Sequence, residues 1–352
     1  MKKTIIIIGA GIAGMEAATF LGSMEHNVIL LEKDQEPGGH LKNWQKLFPT
    51  LRYGKEILSF LQEGIKIAKV DLKCNAIINN ITKNNNTFIV NYSHQQQEIN
   101  IEADAILVTT GYDTFDATKK EEYGYGIYDN VITSADLEKI FTTGKPIITA
   151  KGDPPKKIGF VHCVGSRDEK VGHVYCSKVC CVTGVKQAIE IKELLPQCDV
   201  FCFYMDMRMY GMHFEAMYKK AQEEYGVTFI RGRVSEACEN IDGSILIKVE
   251  DTLAARPLKM SVDLLVLLIG FVPSEGSKMV GNMLGLQTGV NGFYKTADQH
   301  ALTNISNVPG VFFAGACTSP KTITNTITDA RAAASTIARY LENNPIFQRK
   351  LT

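Results

Sequence analysis

The sequence lacks the features that mark several large classes of protein. Its 352 residues carry 38 basic and 38 acidic side chains without a long basic run, so nothing predicts a nucleic-acid surface or a polybasic membrane patch. The longest apolar stretch, residues 264–272, is too short for a membrane span. The apolar N-terminus resembles a signal peptide superficially, but the glycines that follow favour a β-strand. We therefore expect a cytoplasmic protein.

The sequence also lacks a C-x-x-C pair, although it contains nine cysteines. Two of these cysteines are adjacent, and in a cytoplasmic protein such a set favours metal or redox chemistry over disulfides. The length of the chain exceeds that of a typical single core and favours two domains.

The N-terminal stretch predicts a dinucleotide-binding unit. A buried strand over residues 5–8 precedes the G-x-G-x-x-G at 9–14, and a helix is predicted over 12–24. A second strand over 28–31 ends in Glu32, which suits the acid that binds a ribose hydroxyl. This order of strand, glycine turn, helix and acid is much more specific than the glycine motif alone.

Each glycine of this motif has a physical role. Gly9 allows a tight turn, Gly11 lets the backbone approach a pyrophosphate, and Gly14 lets helix and strand pack closely. The N-terminus of the helix then offers free N–H groups and a partial positive charge to the phosphates.

The G-G-x-L segment at 38–41 resembles two-dinucleotide flavoproteins such as thioredoxin reductase, in which it lies along the flavin. The resemblance favours FAD over NAD at this site. His40 either approaches the isoalloxazine or caps the loop.

Two later segments resemble the same class. The strand at 105–108 ends in Thr110-Gly111, similar to the A-T-G of these flavoproteins. The last strand and turn, 311–317, usually end in G-D, but Ala316 replaces the acid here. The final helix opens at 321–324 and would direct its N-terminal dipole at the flavin. For Cys317, an inert turn cysteine is favoured over a redox thiol.

The resemblance predicts an α/β two-dinucleotide-binding flavoprotein. The expected FAD domain comprises 1–112 and 257–352, and a Rossmann-like domain at 113–256 is inserted between them. Short antiparallel strands are expected between 71 and 101, and a helix capped by Ser134 within the connecting segment. The predicted FAD contacts are Gly9, Gly11, Ala13, Gly14, Glu32, Lys33, Gly39, His40, Leu41, Thr110, Gly111, Gly315, Ala316, Thr322 and Ile323.

The second domain lacks the phosphate loop expected after its first strand at 157–161. Cysteines stand there instead, with the spacing C-x12-C-x3-C-C. A helix predicted from near Ser177 to Leu195 carries the last two in its first turn, where the N-terminus would lower the thiol pKa. Four thiolates suit an iron–sulfur cluster or zinc. Because zinc sites usually consist of two separated C-x2–4-C knuckles, a cluster is favoured, with zinc or no metal as alternatives. The cysteines are Cys163, Cys176, Cys180 and Cys181.

The motifs C-V-G-S-R-D at 163–168 and Y-C-S-K-V-C-C at 175–181 resemble the A-type flavoprotein of heterodisulfide reductase. The Y-x-D-x-R at 204–208 and the F-I-R-G at 229–232 look like further family segments. This family includes flavoproteins of the quinone-interacting oxidoreductase and of the sulfur-oxidising heterodisulfide-reductase-like complex. The resemblance implies that the four cysteines bind one [4Fe–4S] cluster. It also implies a homodimer and partners similar to the B and C iron–sulfur subunits.

Two features depart from the full-length methanogen subunits. No ferredoxin-like cysteine run is present, and no cysteine follows Phe48-Pro49-Thr50. The compact form is most similar to the flavoprotein of the sulfur-oxidising complex. Asp206 and Arg208 are predicted to form a structural ion pair.

These expectations combine into an oxidoreductase of sulfur or disulfide metabolism, with FAD and one [4Fe–4S] cluster relaying electrons to partner subunits. No catalytic residue is assigned. The alternatives are a stand-alone NAD(P)H-dependent FAD disulfide reductase, which the missing C-x-x-C disfavours, and a zinc-stabilised FAD-binding scaffold.

Overall fold

The computed structural model describes residues 2–342. It divides the chain into two compact units. Unit 1 comprises the described residues up to Lys42, Lys55–Asp113 and the chain from Val272 onward. Unit 2 comprises Asn43–Gly54 and Thr114–Phe271.

The elements are numbered along the chain. The helices are α1 (Ile12–Ser23), α2 (Gly54–Ile67), α3 (Ser134–Thr143), α4 (Cys180–Leu194), α5 (Phe214–Glu223), α6 (Glu275–Leu284) and α7 (Ile323–Leu341). The first ten strands are β1 (Thr4–Ile8), β2 (Asn27–Leu31), β3 (Lys46–Leu47), β4 (Arg52–Tyr53), β5 (Asp71–Lys73), β6 (Ile77–Asn84), β7 (Thr87–His94), β8 (Gln97–Ala103), β9 (Ala105–Val108) and β10 (Tyr112–Thr114). The others are β11 (Val131–Thr133), β12 (Lys157–Val164), β13 (Asp199–Tyr204), β14 (Thr228–Arg231), β15 (Val234–Glu239), β16 (Ile245–Asp251), β17 (Arg256–Val262), β18 (Leu264–Ile269), β19 (Phe271–Pro273) and β20 (Val311–Phe313).

Unit 1 is built on a parallel sheet in the order β20-β9-β1-β2-β5. Ile5 of β1 aligns with Val28 of β2 and with Ala105 of β9. The apolar residues of these three strands are buried, as expected for a parallel sheet covered on both faces. The antiparallel sheet β6-β7-β8 shares one apolar core with it, in which Phe88 and Tyr92 are fully buried. The predicted strands at 5–8, 28–31 and 105–108 and the helix predicted over 12–24 are confirmed. Of the strands expected to be antiparallel between 71 and 101, β5 instead pairs in parallel with β2.

Unit 2 repeats this arrangement with a parallel sheet in the order β11-β18-β12-β13-β14 and an antiparallel sheet β15-β16-β17. Strand β18 lies beside β12 as β9 lies beside β1. The residues before β9 and β18 are equivalent as well: the Asp104 carboxylate accepts the N–H of Thr4, and the Asp263 carboxylate accepts that of Lys157. The predicted two-dinucleotide-binding α/β fold is confirmed.

Several boundaries differ from the sequence-based expectations. Strands β17 and β18 belong to unit 2, although a return to the FAD domain was expected at 257, because β18 pairs with β11 and β12. That expected domain continues to residue 352, and its last ten residues lie outside the described range. Helix α3 is capped by Thr133, not Ser134, in a reciprocal arrangement with Asp136. No helix among residues 2–342 is long and apolar enough to cross a membrane.

Candidate cofactor sites

The glycine turn between β1 and α1 forms an open cradle. Gly9 has φ +103°, and a Cβ on Gly14 would lie 1.9 Å from the Gly9 carbonyl oxygen, so both positions require glycine. A Cβ on Gly11, in contrast, would meet no atom within 4 Å. Gly11 also precedes α1 without a side-chain cap. The turn therefore leaves space and helix N–H groups for an anionic ligand.

Two further segments close around this turn. Glu32 is buried, and its Oε2 accepts the N–H of Ala10 at 2.7 Å, which places the predicted ribose acid against the turn. The N–H of Gly38 donates to the Ala10 carbonyl at 2.8 Å. A Cβ on Gly39 would lie 3.3 Å from the Gly11 Cα. The carboxyl ends of β1 and β2 thus bring together the predicted glycine turn, acid and G-G-x-L segment.

His40 is held by the segment that follows β9. Its ring stacks on Tyr112 with centroids 4.3 Å apart, and its Nε2 lies 2.8 Å from the Tyr112 carbonyl oxygen. The predicted contact Gly111 has φ +69° with open space at its Cβ position, and the Thr110 hydroxyl bonds that of Ser277 at 2.6 Å. The two contacts with Tyr112 attach the loop of His40 to the segment that follows β9, which agrees with a capping role.

The turn after β20 is organised by a residue that the sequence reasoning missed. Asp329 of α7 accepts the N–H of Gly315 at 2.8 Å and the amide of Asn304 at 2.9 Å. Lys321 donates to the Gly315 carbonyl at 2.9 Å and lies 3.4 Å from Asp329. An aspartate inside a helix belongs to no sequence motif, so only its tertiary contacts identify it.

The other predicted contacts of unit 1 differ in their exposure. Leu41 and Ala316 are buried, and Lys33 is exposed. A Cβ on Gly315 would lie 2.8 Å from the Ala13 Cβ, so the last turn meets the first helix. Thr322 caps α7 by accepting the N–H of Asn325, and Ile323 is the first helical residue.

Cys317 is an inert turn cysteine by its surroundings. It is 1% exposed, and its thiol donates to the Ala314 and Val108 carbonyls at 3.3 and 3.4 Å. Burial raises the pKa of this thiol to about 12, which keeps it protonated and unreactive.

In unit 2, the cysteine segment begins inside a strand. β12 continues through His162 and Cys163 to Val164, and its register with β18 shifts between Val161 and Val164. Cys163 has φ +62°, and Arg167 and Lys178 have φ +53° and +65°. Left-handed backbone at non-glycine residues is costly and concentrates at functional sites.

The four predicted ligands share one neighbourhood. All four cysteines are free; Cys163, Cys180 and Cys181 are buried and Cys176 is half-buried. Burial, with repulsion from the thiolates of Cys181 and Cys176, raises the pKa of Cys163 to about 11. Burial and the other three cysteines raise the pKa of Cys180 as well. Within residues 2–342, no three His, Cys, Asp or Glu side chains are placed so that they could hold one metal ion.

The predicted lowering of the thiol pKa at the start of this helix is wrong for Cys180 and Cys181, because burial raises the pKa of both thiols. Helix α4 begins at Cys180, three residues later than predicted, so Cys180 and Cys181 are its first two residues. Burial has the largest effect on both thiols, because removal from water disfavours the charged thiolate form. A cationic metal centre would supply the missing compensation, because thiolates that bind a metal are deprotonated.

Backbone N–H groups are directed at two of the sulfurs. Lys178 donates to the Cys176 Sγ at 3.3 Å, and Arg208 donates to the Cys181 Sγ at 3.4 Å. Such bonds favour the thiolate form and tune cluster potentials. The donor set is thus chemically suited to a soft metal centre.

Charged side chains support the same loop. Arg167 Nη2 lies 2.6 Å from Asp206 Oδ2, and its guanidinium counters the rise in the pKa of Cys163. The predicted pair of Asp206 and Arg208 exists at 3.7 Å. Because the Asp206 carbonyl also accepts the Cys181 thiol at 3.6 Å, this ion-pair group borders the cysteines.

The remaining residues of C-V-G-S-R-D fix the loop. Asp168 is buried, and its Oδ2 lies 2.7 Å from the Lys120 ammonium and 2.8 Å from the Arg233 guanidinium. Gly165 has φ +72° and packs against the ring of Phe115, where a Cβ would clash. The motif therefore contains one thiol ligand candidate and the residues that position it.

A second buried charge group lies farther along α4. Lys186 is fully buried and contacts Glu138, Glu190 at 2.6 Å, and the ring of Trp44 at 5.2 Å. Burial and the Glu138 charge raise the pKa of Glu190 to about 7, against the attraction of Lys186. The sequence offered no signal for this group.

Comparison with known proteins agrees with this architecture. Residues 7–62 match the model of an NAD(P)-binding Rossmann-like domain, and residues 181–335 match that of the pyridine nucleotide-disulphide oxidoreductases. Thioredoxin reductase of Lactococcus lactis superposes with a TM-score of 0.66 at 18% identity, covering 97% of this chain and 100% of that one. Thioredoxin reductase of T. acidophilum superposes with a TM-score of 0.62 at 16% sequence identity, covering 97% of this chain and 99% of that one. The fold and these matches define an FAD-dependent oxidoreductase.

The sequence relatives identify the family. The A-type component of the H2/formate:CoB-CoM heterodisulfide,ferredoxin reductase of Methanococcus maripaludis is 32% identical, over 96% of this chain and 64% of the relative. The A-type component of the H2:CoB-CoM heterodisulfide,ferredoxin reductase of Methanothermobacter thermautotrophicus is 41% identical, over 71% of this chain and 38% of the relative. The chain belongs to the family of heterodisulfide reductase A-type flavoproteins (HdrA), and it spans less than two thirds of the length of these relatives.

Proposed function

We propose that this protein is an electron-transfer subunit with FAD in unit 1 and one [4Fe–4S] cluster in unit 2. FAD exchanges electrons in pairs and an iron–sulfur cluster exchanges them singly, so the two together connect a two-electron partner to one-electron carriers. The residues of unit 1 would bind the phosphates at Gly11 and a ribose at Glu32. The residues of unit 2 would bind the cluster through Cys163, Cys176, Cys180 and Cys181.

The observation that carries this proposal is the grouping of the four thiols at the head of α4. The backbone there is left-handed at Cys163 and Lys178, and N–H groups are directed at Cys176 and Cys181. This place corresponds to the phosphate loop of a second dinucleotide domain. In this chain it presents thiols where unit 1 presents glycines.

We further propose that the partners are similar to the B and C iron–sulfur subunits of heterodisulfide reductase, that the protein forms a homodimer in the cytoplasm, and that its complex acts on disulfide or bound-sulfur compounds. The names of the relatives support the disulfide chemistry.

Anaerobic purification tests the proposal. We expect one FAD and about four irons with as many labile sulfides per chain. Stoichiometric zinc without iron would contradict the cluster and indicate a zinc-stabilised scaffold. Rapid bleaching of the flavin by NAD(P)H alone would instead support a self-contained reductase. An anaerobic pull-down followed by mass spectrometry would identify the partner subunits.

A further inference from the structure

His162 is a buried polar side chain without a partner. It is 7% exposed, and neither Nδ1 nor Nε2 has a hydrogen-bond partner among the described residues. Buried polar groups in proteins are nearly always hydrogen-bonded. An imidazole carries at least one N–H donor in either protonation state. This residue therefore presents a donor whose acceptor is missing.

The position of the ring relates this donor to the cysteines. A Cβ built on Gly184 would lie 3.1 Å from both Nε2 and Cε1 of His162, so the imidazole rests directly against α4. Gly184 follows Cys180 by four residues and Cys181 by three in this helix. Residues at these spacings share one helix face. The ring thus lies against α4 one helical turn after Cys180 and Cys181, and His162 directly precedes Cys163 in β12.

The nearest atom to the Gly184 position outside the ring belongs to the apolar side chain of Leu268. The backbone of β12 changes register with β18 at this point, which releases His162 from the regular ladder. A glycine in the second turn of α4 is what gives the ring room beside the helix.

We propose that His162 is a positioning residue that donates a hydrogen bond to a sulfur atom of the centre held by Cys163, Cys176, Cys180 and Cys181, and thereby raises the reduction potential of this centre. This inference rests on the proposed cluster. A reduced cluster is more negative than an oxidised one, so a donated hydrogen bond stabilises the reduced form more.

The test compares His162→Leu, His162→Met and His162→Gln in the anaerobically purified full chain. Leu and Met remove the donor, and the flexible Met accommodates the cavity if Leu impairs folding. Gln keeps an N–H donor. We expect the apolar variants to keep iron and sulfide. The equilibrium constant for one-electron reduction should fall about tenfold, which lowers the reduction potential by ~59 mV. In a redox titration followed by EPR, the Gln variant is expected to recover most of the lost reduction potential.

His26→Leu is the matched control. His26 lies in unit 1, and its Nδ1 also has no hydrogen-bond partner among residues 2–342, so its replacement should leave the cluster potential unchanged. Urea unfolding of iron-free protein supplies a second measurement, in which His162→Met should be at least as stable as the less stable of wild type and His162→Gln.

The outcomes separate the two proposals. A wild-type protein without iron and sulfide would refute the proposed function, and this inference with it. A loaded wild type whose potential equals that of both apolar variants would overturn the role of His162 alone. So would an iron-free His162→Met protein that is clearly less stable than both iron-free wild type and iron-free His162→Gln, because the imidazole N–H would then have an acceptor within the protein.

Discussion

At the scale of single residues, unit 2 places its reactive groups where water is scarce and compensating charge is close. The Cys163 thiol is 8% exposed, and burial alone would keep it protonated. Arg167 opposes that effect, and Asp206 holds Arg167 in place. A site of this kind releases protons when a metal centre binds, since the thiols must become thiolates.

Replacement of one proposed ligand should remove the cluster and leave the flavin. In Cys163→Ser we expect loss of most of the iron and sulfide with one FAD retained per chain, because the two sites lie in different units. Iron assay and the flavin spectrum measure the two quantities. Cys238→Ser, at a half-buried cysteine outside the proposed ligand set, is the control and should keep both. A full cluster in Cys163→Ser would eliminate this residue as a ligand.

The buried carboxylate of Glu190 should make stability depend on pH. Its folded-state pKa of about 7 exceeds its ordinary value of 4.5, so the associated stability is complete below about pH 4.5 and is lost as pH rises through about 7. Glu190→Gln removes this dependence and should gain stability relative to wild type across that range, by up to ~3 kcal/mol. Chemical unfolding at several pH values measures this gain.

Glu193→Gln is the matched control for that experiment. Glu193 lies one turn farther along α4, and its side chain is 34% exposed and pairs with Lys46. Its replacement should change stability by less than about 1 kcal/mol at every pH. Parallel pH profiles of Glu190→Gln and wild type would show that Glu190 does not titrate in this range.

At the scale of elements, α1 and α4 begin at equivalent places in their units but offer different ligands. Helix α1 starts from an uncapped glycine turn with open space. Helix α4 starts with two adjacent cysteines after the left-handed Lys178. A helix N-terminus attracts phosphate and thiolate alike, because both are anions. The residue types at the turn then decide which group binds.

Two of the three glycines in the 9–14 motif, Gly11 and Gly14, should respond differently to substitution by alanine. Gly11→Ala fills open space, so folding should lose less than about 1 kcal/mol while FAD affinity falls by about tenfold or more, equivalent to ~1.4 kcal/mol. Gly14→Ala places a Cβ against the Gly9 carbonyl and should cost about 1–3 kcal/mol or more in stability. Urea unfolding of FAD-free protein and flavin titration separate these effects. Equal stability of the two FAD-free variants would contradict the assigned roles.

At the scale of the whole molecule, one architecture occurs twice in the chain. The sequence pattern D-A-I-L-V-T-T-G at 104–111 recurs as D-L-L-V-L-L-I-G at 263–270. The structure shows that these are the equivalent strands β9 and β18, each paired with the first strand of its own sheet. The recurrence therefore marks the duplicated fold.

This division predicts that each cofactor protects its own unit. Removal of iron by oxidation and chelation should speed amide hydrogen exchange at 163–181 and in α4, and leave the 9–14 turn unchanged. Removal of FAD should do the opposite. Hydrogen exchange followed by mass spectrometry measures both regions in one sample. Equal deprotection of both regions on chelation would show that the sites are not confined to separate units.

The sequence by itself determined the parallel strands, the glycine turn and the family, because continuous apolar runs and short motifs are local signals. Residues 5–14 and 163–181 carried most of this information. Only the tertiary structure decided what surrounds those motifs. Three interactions join residues that are distant in the sequence or lie in different elements. They are the hydrogen bond from Gly315 to Asp329, the ion pair of Arg167 with Asp206, and the ion pair of Lys186 with Glu138. Motif analysis could not predict that the His162 ring lacks a hydrogen-bond partner among the described residues, or that the pKa of Cys163 and Cys180 is raised. Both effects come from burial, which is a property of the packed chain and not of the local sequence.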